Sequence, residues 1–303
     1  MNRIHTGIFG ITYGPSGSGK TLALIRAFPE ALFVAPPGAL RCGQHIGWTP
    51  KGVDFKSLLE TADLIKREHT KYSAIIVDDL SLLADQEMAE ITAKFVGYTS
   101  YAEFNRRMSI LRDAARAASC HVFFTMHERA PEKVGDNNNR YSPGSPLIPG
   151  RALAEKLPAM CDFVARVVYD ETAPWPWPYV YQTGPDPHYV TKDRLGLSPY
   201  TFPMNLRALF KGSGMILPRP KELQWMDKIV AQLAPLLVPL LDDPTELQSL
   251  LTNAASKLDS KHKPEHIIWC LSDAIDEAQL LSHQSTKVES FISNLSLGES
   301  NVL

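Results

Sequence analysis

Residues 14–21 read Gly14-Pro15-Ser16-Gly17-Ser18-Gly19-Lys20-Thr21, and no other stretch constrains the fold as tightly. They fit G-x-x-x-x-G-K-[ST], a loop whose backbone curls around phosphate. Glycines let successive N–H groups turn inward. A lysine sets a point charge on the β- and γ-phosphates, and the following hydroxyl ligates Mg²⁺. Such a loop needs a strand before it and a helix after it, whose N-terminal dipole faces the anion. Both are in register. Gly7–Tyr13 (GIFGITY) is a short apolar run suited to a buried strand. Leu22, Leu24, Ile25, Ala27 and Phe28 form the apolar face of a helix that begins at Gly19 and ends before Pro29. The pattern implies a nucleoside triphosphate with Mg²⁺, with all eight loop residues around the phosphates.

The alternation continues downstream. Ala31–Ala35 reads as a second strand stopped by Pro36-Pro37-Gly38, and residues 38–52 read as loop. Phe55, Leu58, Leu59, Ala62 and Ile65 make a helical stripe with Asp54 as its expected N-cap. Ser73–Val77 is an apolar strand ending in Asp78-Asp79. Leu80, Ala84, Met88, Ile91 and Phe95 mark a helix, Gly97–Ser100 an interruption, and Phe104, Met108, Leu111, Ala115 and Ala118 another helix before the strand His121–Met126. Apolar strands alternating with helices imply a mainly parallel sheet covered on both faces. Ligands then gather at the carboxyl ends of the strands. Three polar tips are expected there: the phosphate loop, Asp78-Asp79 and His127-Glu128. Asp78 is the expected Mg²⁺ carboxylate. Asp79 is either the base that polarises attacking water or the cap of the helix that follows. His127 is placed to sense the γ-phosphate.

Residues 129–150 are rich in Gly, Pro and Asn and lose all periodicity, as long functional loops do. Arg151–Met160 reads as a helix. Phe163–Tyr169, Tyr179–Gln182 and Tyr189–Thr191 read as strands added antiparallel at one edge, with Pro174–Pro178 a rigid turn. Beyond Pro218 the pattern is helical only. One stripe is Leu223, Met226, Val230 and Leu233. A second is Leu247, Leu251, Ala254 and Leu258. A third is Ile267, Leu271, Ile275, Ala278 and Leu281, and a fourth helix is expected over Val288–Leu295. The expected organisation is a core at 1–217 and a small helical domain at 218–303.

Composition adds bounds. Net charge is −2 over 303 residues, so no global basic field advertises nucleic acid. Residues 219–303 hold seven Lys/Arg and twelve Asp/Glu, a net of −5. Four scattered cysteines and no long apolar run fit a reduced, cytoplasmic chain without a membrane span. Cys42 and His45 have ligand-like spacing but lack the second pair that zinc requires.

Taken together, these residues resemble the RecA superfamily, and more closely the small ATP-binding proteins of bacteriophages linked to single-strand annealing and recombination. The resemblance rests on Gly14–Thr21, Asp78 and HVFFTMHER (His121–Arg129). Pro149-Gly150-Arg151 leading to Ala154–Pro158, and Lys192-Asp193-Arg194, add to it. It covers about residues 5–200 and leaves out the helical C-terminus. It implies a RecA-like α/β core and a homo-oligomer with ATP at subunit interfaces. Single-stranded DNA is the implied partner, with a single-strand-binding or replication protein as a further one. Lys192 and Arg194 would act in trans on a neighbour's γ-phosphate as an arginine finger. Loop 129–150 would face DNA with Arg129, Lys133, Arg140 and Tyr141, although Glu132 and Asp136 nearly balance its charge. One departure matters. Many RecA-like proteins carry a catalytic Glu after the second strand, where this chain has Ala35-Pro36-Pro37-Gly38. Hydrolysis is therefore expected to be slow unless Asp79 or Glu128 substitutes. A non-catalytic ATP-dependent switch or adaptor is the alternative. A small-molecule kinase is disfavoured, because no arginine-rich lid or second polar pocket is evident.

Overall fold

In the computed structural model of the chain, residues 7–54, 57–133, 141–171, 178–196, 200–212, 215, 217–259 and 261–298 are described, without the side chains of 141, 151, 152, 155, 212 and 283–298. The chain divides into two compact units, 1–207 with 216–218, and 208–215 with 219–303.

The first unit is built on one sheet. Strand β1 (Phe9–Tyr13) leads through the phosphate loop into α1 (Lys20–Ala27). Then come β2 (Leu32–Val34), a 3-10 helix (Ala39–Ile46), β3 (Lys51–Val53) and α2 (Leu58–Glu68). Next are β4 (Ala74–Val77), α3 (Leu80–Thr92), α4 (Tyr98–Ala117) and β5 (His121–Met126). Four two-residue strands follow, β6 (Glu128–Arg129), β7 (Glu132–Lys133), β8 (Tyr141–Ser142) and β9 (Ser145–Pro146), and then α5 (Arg151–Met160). The sheet is completed by β10 (Phe163–Tyr169), β11 (Tyr179–Gln182), β12 (Lys192–Asp193) and β13 (Thr201–Pro203), and α6 (Leu206–Gly212) crosses the boundary between the units. The strand order is β13-β11-β10-β1-β5-β4-β2-β3, with β12 on β10. Every pairing from β10 to β3 is parallel. This is the mainly parallel α/β architecture expected of a RecA-like core.

Alternation along the strands explains the two covered faces. Ile11, Tyr13, Ile75, Val77, Val122, Phe124 and Met126 point to one side. There they pack with Leu58, Ala62, Ile65, Leu80, Leu83, Phe104, Met108, Leu111, Leu153 and Leu157 of α2–α5. The other side carries Gly10 and Phe123, and the ring of Phe28, just after α1, packs tilted against Phe123 with centroids 5.4 Å apart. A Cβ on Gly10 would come within 2.3 Å of that ring, so only glycine lets Phe123 lie flat on β1. Arg207 secures the end of α1 by donating to the Ala27 carbonyl at 3.2 Å and to Leu217 and Pro218 at 2.6 and 3.0 Å.

Several expectations are corrected. Residues 38–52 are not loop throughout, since they form the 3-10 helix and edge strand β3. The N-cap of α2 is Ser57, not Asp54: its hydroxyl accepts from Glu60 N–H at 3.1 Å. Phe55 lies outside the described residues. Phe163–Tyr169 is parallel to β1, because α5 carries the chain back before β10 begins; β11, β12 and β13 are the antiparallel additions. The third of these is Lys192–Asp193 rather than Tyr189–Thr191, and Tyr189 makes an isolated bridge to Gly144. The turn 174–178 falls mostly outside the described residues.

The second unit is helical: α7 (Gln224–Leu237), α8 (Pro244–Leu258) and α9 (Pro264–Gly298). On α7 the expected stripe of Met226, Val230 and Leu233 is buried. Among the described side chains of α9 the buried apolar ones are Ile267, Trp269, Cys270, Ala274, Ala278 and Leu280, so the stripe is rotated away from Leu271 and Ile275. The separate fourth helix is instead a continuation of α9, and the side chains expected to line it lie outside the described residues. Arg219 is buried between Asp227, at 2.8 Å, and Asp273.

Candidate nucleotide site

The phosphate loop joins the carboxyl end of β1 to α1 through three glycines with positive φ, of which Gly17 (+76°) and Gly19 (+85°) are left-handed and Gly14 (+158°) is nearly extended. Neither Gly17 nor Gly19 has any atom within 4 Å of where a Cβ would stand, so it is the backbone conformation that requires glycine at these two positions. Ser18 Oγ closes the curl by donating to the Pro15 carbonyl at 2.8 Å. Gly19 is the N-cap of α1 and offers no side chain, which leaves the first-turn N–H groups for an anion. Lys20 is 7% exposed, and its Nζ donates to the carbonyls of Gly14 at 3.1 Å and Pro15 at 2.7 Å. Burial pushes this ammonium below the usual lysine range, against the pull of Asp79, Asp78 and Glu128.

Asp78 follows the last residue of β4. One strand, β5, separates β4 from β1, and it supplies Thr125. The Asp78 carboxylate accepts from Thr21 Oγ1 at 3.1 and 3.0 Å, and Thr125 Oγ1 donates to the same group. Asp78 is 4% exposed. Burial raises its pKa, the two hydroxyls oppose the rise, and Asp79 adds to it. A buried carboxylate beside a threonine hydroxyl is the donor set of a hard divalent cation, so these residues fit Mg²⁺.

The peptide bond between Asp78 and Asp79 is cis. Asp79 Oδ1 caps α3, accepting from Ser81 N–H at 2.6 Å and Leu82 N–H at 3.4 Å. Its Oδ2 lies 2.9 Å from His127 Nε2. The capping role is thus present, and the same side chain holds the imidazole. Glu128 is engaged elsewhere: both oxygens accept from Arg166, at 2.7 and 3.3 Å, and that guanidinium stacks 3.2 Å over the Tyr189 ring. Burial raises the Tyr13 hydroxyl pKa, and this hydroxyl donates to the Val190 carbonyl at 2.8 Å.

The structure gathers Lys20, Thr21, Asp78, Asp79 and His127 at the carboxyl ends of the central strands β1, β5 and β4, with Glu128 next to them. It does not bring Lys192 and Arg194 there. The pairing of Val164 with Lys192 puts them at the start of β10, the opposite end of the sheet from the loop that follows Tyr13. Both reach the carbonyl of Ala159 in the last turn of α5, Lys192 at 2.6 Å and Arg194 at 3.4 Å, and Arg194 lies 3.7 Å from Asp162. Arg129 donates to the Ile148 carbonyl at 2.7 Å and Lys133 is exposed. Arg140 lies outside the described residues, as does the side chain of Tyr141. Sequence reading missed Thr125, Ser81 and Arg166. Thr125 had a signal, the one hydroxyl inside HVFFTM; the other two had none without the pairing of strands.

A family model described as AAA domain matches residues 6–195. No curated relative matches the sequence. Among solved structures, the crystal structure of the RadB recombinase aligns over 58% of this chain and 88% of its own, at 15% identity and a TM-score of 0.34. The family match spans well over half of the sequence and takes in the phosphate loop, Asp78 and His127: the chain belongs to the AAA-domain family.

Proposed function

We propose that this protein binds ATP with Mg²⁺ and hydrolyses it slowly, acting as an oligomer on single-stranded DNA in phage-type recombination or replication. The observation that carries the nucleotide part is the convergence of the glycine-curled loop, buried Lys20 and the Thr21–Asp78 contact at the carboxyl ends of β1 and β4. A triphosphate would take the loop N–H groups and the Lys20 ammonium in place of the carbonyls of Gly14 and Pro15. Bound Mg²⁺ would supply charge neutralisation between the phosphates and Asp78. Thr21 and Asp78 would hold it, with Thr125 fixing the carboxylate from behind. His127, braced by Asp79, is the group placed to register the γ-phosphate.

Slow turnover follows from where the carboxylates are committed. No carboxylate stands at Ala35–Gly38. Asp79 is bound to helix N–H groups and His127, and Glu128 to Arg166. The same facts favour the second reading, an ATP-dependent switch or adaptor in a replication or recombination complex. The DNA part rests on the sequence resemblance and on the short strands β6–β9 that follow β5, which carry exposed Lys133. Lys192 and Arg194 lie away from their own phosphate loop, which is compatible with action on a neighbour's nucleotide.

ATP turnover measured with and without single-stranded oligonucleotide, across a salt series, tests both readings. The first expects turnover to rise on adding DNA and that rise to fade steeply with salt. Turnover unmoved by DNA at low salt, with ATP still bound, leaves the switch.

A further inference from the structure

The segment that follows β5 is not a free loop. Glu128 pairs with Pro146 and Arg129 with Ser145, then Glu132 with Ser142 and Lys133 with Tyr141, all antiparallel. Residues 128–133 and 141–146 therefore form the two paired legs of a ribbon. Its legs begin at His127 and end at Leu147, and these two residues meet: Leu147 N–H donates to the His127 carbonyl at 2.8 Å.

One side chain joins both legs to the nucleotide site. Ser81 stands in the first turn of α3 and is 1% exposed. Its hydroxyl accepts from His127 N–H at 2.9 Å and donates to the Leu147 carbonyl at 2.7 Å. Its own N–H is held by Asp79 Oδ1 at 2.6 Å, while Asp79 Oδ2 meets the His127 ring. The result is a closed circuit from the acidic strand end through α3 to both feet of the ribbon. On the far side Gly144 is packed so tightly on Tyr189 that a Cβ would lie 2.4 Å from the ring. Gly144 N–H also donates to the His188 carbonyl at 2.7 Å. The ribbon is thus pinned on that side and gripped by one hydroxyl on the other.

We propose that Ser81 is a positioning residue: it holds the backbone of His127 and Leu147 in register, so that occupancy of the nucleotide site by Mg-ATP reaches the ribbon legs 128–133 and 141–146 through its hydroxyl. This rests on the nucleotide reading above but not on any action on DNA. A buried serine at this place could otherwise serve only to satisfy two backbone groups. A purely structural role would loosen the ribbon equally with and without nucleotide.

The test is hydrogen exchange on the full chain, parent, Ser81→Ala and Ser81→Thr, each with and without Mg²⁺ and a non-hydrolysable ATP analogue. In the parent, the analogue is expected to slow exchange in the phosphate-loop peptide and to change exchange at 127–129 and 145–148 together by about tenfold, the scale of one or two buried hydrogen bonds. In Ser81→Ala the phosphate loop is still protected but the ribbon base no longer responds, and Ser81→Thr restores the response. A ribbon that responds in Ser81→Ala as in the parent overturns the proposal. So does a parent whose phosphate loop is protected while its ribbon base stays inert, a result that needs no variant to fold. A parent whose phosphate loop is not protected at all defeats the nucleotide reading itself, and this proposal with it.

Discussion

Asp78 is a carboxyl group buried where its charged form is costly. Its two hydroxyl partners satisfy lone pairs but bring no positive charge, and the nearby Lys20 ammonium is turned toward loop carbonyls. Because its folded pKa is raised, its ionisation works against the fold. Stability from this group is complete below the ordinary aspartate range near about 3.9 and is lost as pH climbs through the raised value. Mg²⁺ binding needs the opposite state, the carboxylate. Asp78→Asn is therefore expected to raise the melting temperature of the metal-free protein by a few degrees, about 1 kcal/mol, and to abolish the Mg²⁺ dependence of nucleotide binding. Calorimetry with and without Mg²⁺ checks both. In the parent, Mg²⁺-dependent binding should weaken on acidification at a pH above the normal aspartate range, and in the variant that weakening should be absent. A binding curve with the same pH midpoint in both would reject this assignment.

At the scale of elements, the sheet explains why small residues sit where they do. Gly10→Ala would drive a methyl into the Phe123 ring, which is wholly buried against Phe28 and cannot yield. Overpacking of this kind is expected to cost about 3 kcal/mol, read as a drop in urea midpoint at unchanged m. Helix α2 gives a milder contrast. Ser57→Ala should cost about 1 kcal/mol as a lost cap, and Asp54→Ala less than half of that. Chemical denaturation of the two variants side by side decides it.

These elements also show what the sequence made legible. Apolar runs placed β1, β4, β5 and β10 almost to the residue, because strands buried on both faces need no alternation to be seen. Edge strand β3 was missed since Lys51-Gly52-Val53 is half exposed and carries no apolar run. The Ser57-Leu58-Leu59-Glu60 spacing of a capped helix start was present, yet Asp54 was preferred. In the site, Lys20, Thr21 and Asp78 followed from one motif and one strand end. The grip of Ser81 on Leu147 joins residues far apart in the chain, and Arg166 reaches Glu128 across the sheet. Such partnerships depend on which strands lie side by side, which no local pattern encodes.

At the scale of the molecule, an AAA-domain core occupies the first unit and a helical bundle the second. The second unit holds the acidic excess of the chain, so any contact with nucleic acid is expected to belong to the first. Among the described residues, no helix is long and apolar enough to cross a membrane. The resemblance that implies an oligomer also assigns Lys192 and Arg194 to a neighbour's nucleotide, and both now bind the end of α5. All of this presupposes that the curled loop takes a triphosphate. The most direct test is an isothermal titration of the parent and Lys20→Ala with Mg-ATP, alongside circular dichroism of each. The account expects saturable binding by the parent, a loss of at least about a hundredfold in the variant, and matching spectra. Equal affinities in two equally folded proteins would contradict it.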